Sequence, residues 1–197
     1  MGGLRFSFGT MGSGKSTLAL QILHNLTSRG LVGVLCTRLD REEGTVSSRL
    51  GVTRRAVEVT PALDLRALAE EVIATQGSLD FLVCDEAQFF TDAQVEQLAA
   101  VVDDLDVDVY AFGLLTDFRG KLFPATARFL ELADTRHELQ VEARCWCGRP
   151  ATHNARLVDG KQVYEGDVIV LGDIRGAAEV SYELLCRRHW REGRTGP

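Results

Sequence analysis

Phe8-Gly9-Thr10-Met11-Gly12-Ser13-Gly14-Lys15-Ser16-Thr17 reads G-x-x-x-x-G-K-S from Gly9 onward, the pattern of a loop that wraps the phosphates of a nucleotide. Leu4-Arg5-Phe6-Ser7-Phe8 before it alternates apolar and polar residues, as a strand does. From Lys15 to Arg29 the apolar Leu18, Ile22, Leu23 and Leu26 recur at helical spacing. Strand, glycine loop and helix in that order separate a phosphate loop from a chance glycine-rich turn. Glycines let successive N–H groups turn inward toward anionic oxygens, and the helix start adds its partial positive charge there. Lys15 is placed to reach the β- and γ-phosphates, and Ser16 to offer a hydroxyl to Mg²⁺.

Downstream, strand and helix patterns alternate. Val32-Gly33-Val34-Leu35-Cys36, Ala56-Val57-Glu58-Val59, Leu79 to Cys84 and Asp106 to Leu114 read as strands. Helices are expected from Thr60-Pro61, from the capping-box stretch Thr91-Asp92-Ala93-Gln94, and from Pro124. The polar stretch from Thr37 to Arg55 reads as a surface loop. Such alternation predicts an α/β core with a mostly parallel sheet covered on both faces. From about Leu139 the pattern changes, and Asp159-Gly160 marks a hairpin. These patterns divide the chain into an α/β domain at 1–140, a small domain at 141–192 and a frayed tail at 193–197.

Asp85-Glu86 follows an apolar strand, at the edge of a parallel sheet where ligands bind. In that place Asp85 can hold Mg²⁺ through water while Glu86 accepts a proton, which is phosphoryl-transfer chemistry. The plainer alternative is an acidic strand end facing solvent. The pair alone does not separate a kinase from an ATPase.

Cys145-Trp146-Cys147-Gly148 and Cys186-Arg187-Arg188-His189 supply three thiols and an imidazole in two close pairs. Such a set suits a four-coordinate structural Zn²⁺ at Cys145, Cys147, Cys186 and His189. The competing reading has Cys186 and His189 simply packing. Cys36 and Cys84 lie inside strand-like runs and read as buried small hydrophobes.

A net charge of −6 argues against a general nucleic-acid binder, because polyanions repel such a surface. Neither an export signal nor a run long enough to span a membrane is visible, which points to a soluble cytoplasmic protein.

Taken together, the phosphate loop, Asp85-Glu86-Ala87-Gln88-Phe89-Phe90, Gly113-Leu114-Leu115-Thr116-Asp117-Phe118-Arg119-Gly120-Lys121-Leu122-Phe123 and the two Cys/His pairs resemble the zinc-containing, phosphate-loop thymidine kinase family. The resemblance runs essentially end to end. It implies a RecA-like ATP-binding core with a mostly parallel sheet, plus a small zinc-ribbon-like domain with a lasso loop. It implies nucleotide contacts from Gly9, Thr10, Met11, Gly12, Ser13, Gly14, Lys15 and Ser16, and from Asp85, Glu86, Ala87 and Gln88. Glu86 would be the catalytic base toward the 5′-hydroxyl of thymidine. Met11, Leu114, Phe118, Phe123 and Tyr182 would shape the thymine pocket. The segment from about Val168 to Tyr182 would hold the base, although Gly172-Asp173 departs from the family's Gly-Gly there. Arg41 or Arg49 could reach the phosphates, the plainer alternative for each being an ordinary surface arginine, and the family implies a homotetramer. Two other classes remain open: an ATPase or GTPase switch, which would lack a nucleoside acceptor, and a zinc-ribbon nucleic-acid binder. The absence of an Asn-Lys-x-Asp motif lowers the GTPase version.

Overall fold

The computed structural model describes residues 2–38, 45–47, 53–139, 142–168 and 179–197. Six parallel strands form the main sheet, in the order β5-β2-β6-β7-β1-β8. They are β1 (Leu4–Gly9), β2 (Gly33–Thr37), β5 (Val57–Glu58), β6 (Phe81–Cys84), β7 (Asp108–Leu114) and β8 (Thr135–Glu138). All four residues of β6 are buried. Their side chains alternate between two apolar clusters, one on each sheet face. Phe81 and Val83 join Ala19 and Leu20 of α1 (Lys15–Thr27). Leu82 and Cys84 join the opposite cluster, which takes in Leu65, Ala69, Val95, Leu98 and Phe129. Those five come from α2 (Leu65–Gln76), α3 (Asp92–Leu105) and α4 (Pro124–Leu132). A strand apolar on both faces is what a helix-covered parallel sheet requires. The core is therefore the α/β arrangement with a mostly parallel sheet, covered on both faces, expected from the sequence.

The order of the strands places the chemistry. Because β7 lies between β1 and β6, the strand entering the phosphate loop and the strand ending at Asp85 are next-but-one neighbours. All three run the same way, so Gly9, Leu114 and Asp85 emerge on one sheet edge.

The second sheet is antiparallel, in the order β10-β9-β11, with β9 (His153–Val158), β10 (Lys161–Val163) and β11 (Val180–Leu185). Asp159 and Gly160 join β9 to β10 with φ of 48° and 74°, the paired left-handed turn expected of an Asp-Gly hairpin. The short α5 (Arg187–Glu192) follows.

Several elements differ from the sequence reading. Within the stretch read as a loop, β3 (Thr45–Ser47) pairs antiparallel with β4 (Thr53–Arg55). Arg41, Arg49 and the expected boundary at Val141 fall outside the described residues, as does most of the segment from Val168 to Tyr182. The helix expected from Pro61 starts at Leu65, because the Asp64 side chain accepts the N–H groups of Arg66 and Ala67 and caps it there. The strand β8 was not legible at all, since Thr135-Arg136-His137-Glu138 is an exposed polar edge without alternation. In the stretch read as frayed, Gly193 ends α5, the Arg194 N–H bonds to the His189 carbonyl, and Trp146 Nε1 donates to the Arg194 carbonyl.

Candidate active site

Two glycines shape the phosphate loop. A Cβ on Gly9 would lie 2.4 Å from the Leu139 carbonyl oxygen and 2.5 Å from Ser13 Oγ, so the chain can pass there only as glycine. Gly14 caps α1 at φ 83°, a left-handed conformation that costs other residues energy. Helical bonding then begins with the Leu18 N–H on the Gly14 carbonyl at 2.9 Å. Lys15 is buried, and its ammonium donates to the Thr10 carbonyl at 2.8 Å and to Ser13 Oγ at 3.4 Å. The buried Thr10 hydroxyl has no partner among the described residues. The Met11 N–H does have one: Asn154 Oδ1 of β9, at 2.9 Å.

At the end of β6, Asp85 is almost fully buried and accepts the Ser16 hydroxyl and the Glu86 N–H. Burial, then the neighbouring Glu86 charge, pushes its carboxyl up to about 6, against the Ser16 and backbone hydrogen bonds and the Lys15 charge. A hydroxyl and a carboxylate in contact beside a lysine form an oxygen donor set of the kind Mg²⁺ takes.

Glu86 itself has φ 51° and ψ 32°, left-handed for a residue with a side chain. Such a backbone costs roughly 1–3 kcal/mol and persists only where the surroundings impose it. Its carboxylate Oε2 accepts from Gln88 Nε2 at 2.6 Å, while Gln88 Oε1 accepts the Leu114 N–H at 3.0 Å. Since the Leu114 N–H can only donate, the amide oxygen must face it, which leaves the NH₂ for Glu86. Gln88 thus links the ends of β6 and β7. Ala87 has no exposed surface and lies in the core, so its side chain is not available to a ligand.

Cys145, Cys147, Cys186 and His189 place their ligand atoms within 4.8 Å of one another. Cys145 Sγ is 3.3 Å from His189 Nδ1, and Cys147 Sγ is 4.0 Å from Cys186 Sγ. Zn–S bonds of about 2.3 Å in a tetrahedron put sulfurs roughly 3.8 Å apart, so the cluster has the right dimensions. The tight C-x-C spacing is accommodated by a turn in which the Gly148 N–H meets the Cys145 carbonyl at 2.8 Å, with Gly148 at φ 81°. The Cys186 thiol is held below its usual range chiefly by the His189 backbone N–H, which favours the thiolate a metal binds. Trp146 stacks on His189 with centroids 4.2 Å apart and fixes the imidazole plane.

The family model for thymidine kinase matches residues 2–190 of the chain. The chain is 58% identical over 194 residues to a thymidine kinase of Streptomyces avermitilis, covering 98% of this chain and 90% of that one. It is 53% identical to a thymidine kinase of Cutibacterium acnes over 197 residues, with coverage of 100% and 91%. A thymidine kinase of Ruegeria pomeroyi is 42% identical over 201 residues, with coverage of 100% and 98%. The chain belongs to the thymidine kinase family.

For a thymidine kinase family member, the positions carried over to the nucleoside side lie on β7, in the loop after it, in the phosphate loop and on β11. Leu114 ends β7, and its carbonyl accepts the Thr126 hydroxyl at 2.7 Å. Phe118 and Phe123 lie between β7 and α4, and both are buried. Phe123 meets Phe89 edge to face at 5.5 Å. The loop that carries them is folded about Asp117, whose carboxylate accepts the Arg119 and Lys121 N–H groups and pairs with the Arg119 guanidinium at 2.6 Å. Met11 is half-buried in the phosphate loop, and Tyr182 stands on β11. Sequence reasoning missed Asn154 and Arg156, two buried polar residues on the same face of β9. Their signal was the two-residue spacing in a strand that otherwise reads as ordinary hairpin. Among the described residues no helix is long and apolar enough to cross a membrane.

Proposed function

We propose that this thymidine kinase family member transfers the γ-phosphoryl group of ATP to the 5′-hydroxyl of thymidine, giving dTMP and ADP. Glu86 removes the hydroxyl proton as that oxygen forms its bond to phosphorus and the bond to the β-phosphate oxygen breaks. Lys15 and the N–H groups of Gly12 to Ser16 hold the phosphates, with Gly9 and Thr10 shaping the entry to the loop. Ser16 and Asp85 hold Mg²⁺, whose charge would offset that building on the phosphate oxygens. Met11, Leu114, Phe118, Phe123 and Tyr182 form the thymine side of the site. Zn²⁺ on Cys145, Cys147, Cys186 and His189 has all four places filled by protein, and so is structural. Assembly as a homotetramer in the cytoplasm is part of the same reading, on the strength of the family.

The observation that carries the proposal is Glu86. It is a carboxylate in an enforced left-handed backbone, aimed by Gln88, one residue from the buried Asp85–Ser16 pair. Glu86→Gln should keep ATP and thymidine binding while phosphoryl transfer falls by about 10² or more, the usual span for a lost general base. Turnover at the wild-type rate would remove Glu86 from the reaction.

A further inference from the structure

Arg156 is 3% exposed, yet none of the hydrogen bonds that its guanidinium makes among the described residues goes to a carboxylate. Burying such a cation is costly, and an apolar side chain would fill the same space more cheaply. Its bonds show what it does instead. Nε donates to the Tyr182 hydroxyl at 3.0 Å, Nη1 to the Asp167 carbonyl at 2.5 Å and Nη2 to the Val168 carbonyl at 2.9 Å. The guanidinium plane also sits over Phe118, with its carbon 3.8 Å from the ring centroid, and 5.6 Å from the Tyr182 ring. Tyr182 is directly opposite Arg156 in the β9–β11 register. Phe118 comes from the loop after β7, on the other sheet. One side chain thus joins three segments, two of which carry proposed thymine-pocket residues.

We propose that Arg156 is a positioning residue for the nucleoside site. Its planar fork fixes the angle of the Tyr182 hydroxyl and the carbonyls of Asp167 and Val168 together, and its flat face fixes the tilt of Phe118. A ring covered on one side by a guanidinium can stack on a base only with the other side, so Arg156 sets which face of Phe118 is presented. Thymidine affinity depends on this arrangement; ATP affinity, set by the phosphate loop on β1, does not. The proposal deepens the thymidine kinase reading and rests on it.

The test is steady-state kinetics of the full-length, zinc-loaded protein with both substrates varied, for wild type, Arg156→Met and Arg156→Lys. Arg156→Met should raise KM for thymidine at least tenfold while KM for ATP stays within twofold. Arg156→Lys keeps charge and reach but not the fork or the flat face, so it should fall between the two. A merely structural role would lower the melting temperature, the zinc content and the active fraction, and leave both KM values where they were. If Arg156→Met does not fold, Arg156→Lys decides alone: a thymidine KM equal to wild type overturns the proposal, and a rise of about fivefold or more with ATP unaffected supports it. Both KM values rising together in either variant also overturns it. Wild-type protein that fails to phosphorylate thymidine overturns the parent reading and takes this one with it. Active wild type with indifferent variants overturns only the role given to Arg156.

Discussion

Asn154 on β9 accepts the backbone N–H of Met11 in the phosphate loop at 2.9 Å, joining residues 143 positions apart. The bond ties the antiparallel sheet that carries β9 directly to the loop at the end of β1. Asn154 is buried, so removing its oxygen leaves a main-chain donor with no partner. Asn154→Ala should lower stability by about 1–2 kcal/mol. ATP binding should weaken several-fold, because the loop loses a fixed point at its crest. Urea unfolding and an ATP titration check the two effects separately; an unchanged unfolding midpoint would make the bond dispensable.

The parts of the site that were readable in the sequence are those whose chemistry is local. Gly9 to Ser16 needs only its own spacing, Asp85-Glu86 only its place after an apolar strand, and the two Cys/His pairs only their ligand types. Gln94 at the third position of α3 completed a capping box that its spacing from Thr91 announces. The roles of Asn154, Arg156 and Gln88 were not readable in the same way. Each depends on which strand lies beside which. Asn154 and Arg156 look the same in a strand whether they face water or another lobe, and Gln88, in the turn after β6, meets Leu114 only because β7 lies alongside. For β8 the reason is different. An edge strand is held by main-chain bonds to β1, and its four exposed side chains have no apolar face to reveal it.

Asp85 makes stability depend on pH in an identifiable direction. Folding raises its carboxyl from the ordinary 3.8 to about 6, so between those values the folded protein binds the proton more readily than the unfolded chain. The group costs nothing below pH 4, and its penalty grows as pH rises to about 6, reaching at most about 3 kcal/mol above that. Asp85→Asn removes the penalty. In nucleotide-free, Mg²⁺-free protein its gain in melting temperature over wild type should increase from about pH 4.5 to about pH 7. The same variant should lose most phosphoryl transfer, because an amide is a poor Mg²⁺ ligand. A gain that is constant across the range would show that burial does not strain this carboxylate.

Metal removal should destabilise the second sheet far more than the first. Its buried apolar cluster consists of Cys145, Ala155, Leu185 and Cys186 with Trp190 against it. Two of those residues belong to the Cys/His cluster proposed to hold zinc, so little hydrophobic core remains to hold the strands without it. Structural zinc contributes on the order of 10 kcal/mol in small sites, so Cys186→Ser or prolonged chelation should lower the melting temperature and abolish thymidine binding. Metal analysis of untreated protein should return about one zinc per chain. Protein without zinc that melts as the untreated sample does would leave the cluster as packing alone.

Gln88 offers the sharpest test of how Glu86 is held. Its amide spans from Glu86 Oε2 to the Leu114 N–H, and Gly113 leaves just enough room: a Cβ there would sit 3.1 Å from both the Gln88 backbone nitrogen and its side-chain Oε1. Gln88→Leu keeps the volume and loses both bonds. It should lower kcat by about tenfold or more with little change in ATP affinity, because only the base loses its orientation. Gln88→Glu does something else. It sets two carboxylates at hydrogen-bond distance, and such a pair retains a proton between them. The acid limb of its rate profile should therefore move to higher pH by about one unit or more, with activity recovering at alkaline pH. Gln88→Leu should show no such recovery. Profiles of kcat against pH for the two variants distinguish loss of aim from loss of the free base, and superimposable profiles would mean that the 2.6 Å contact does not govern Glu86.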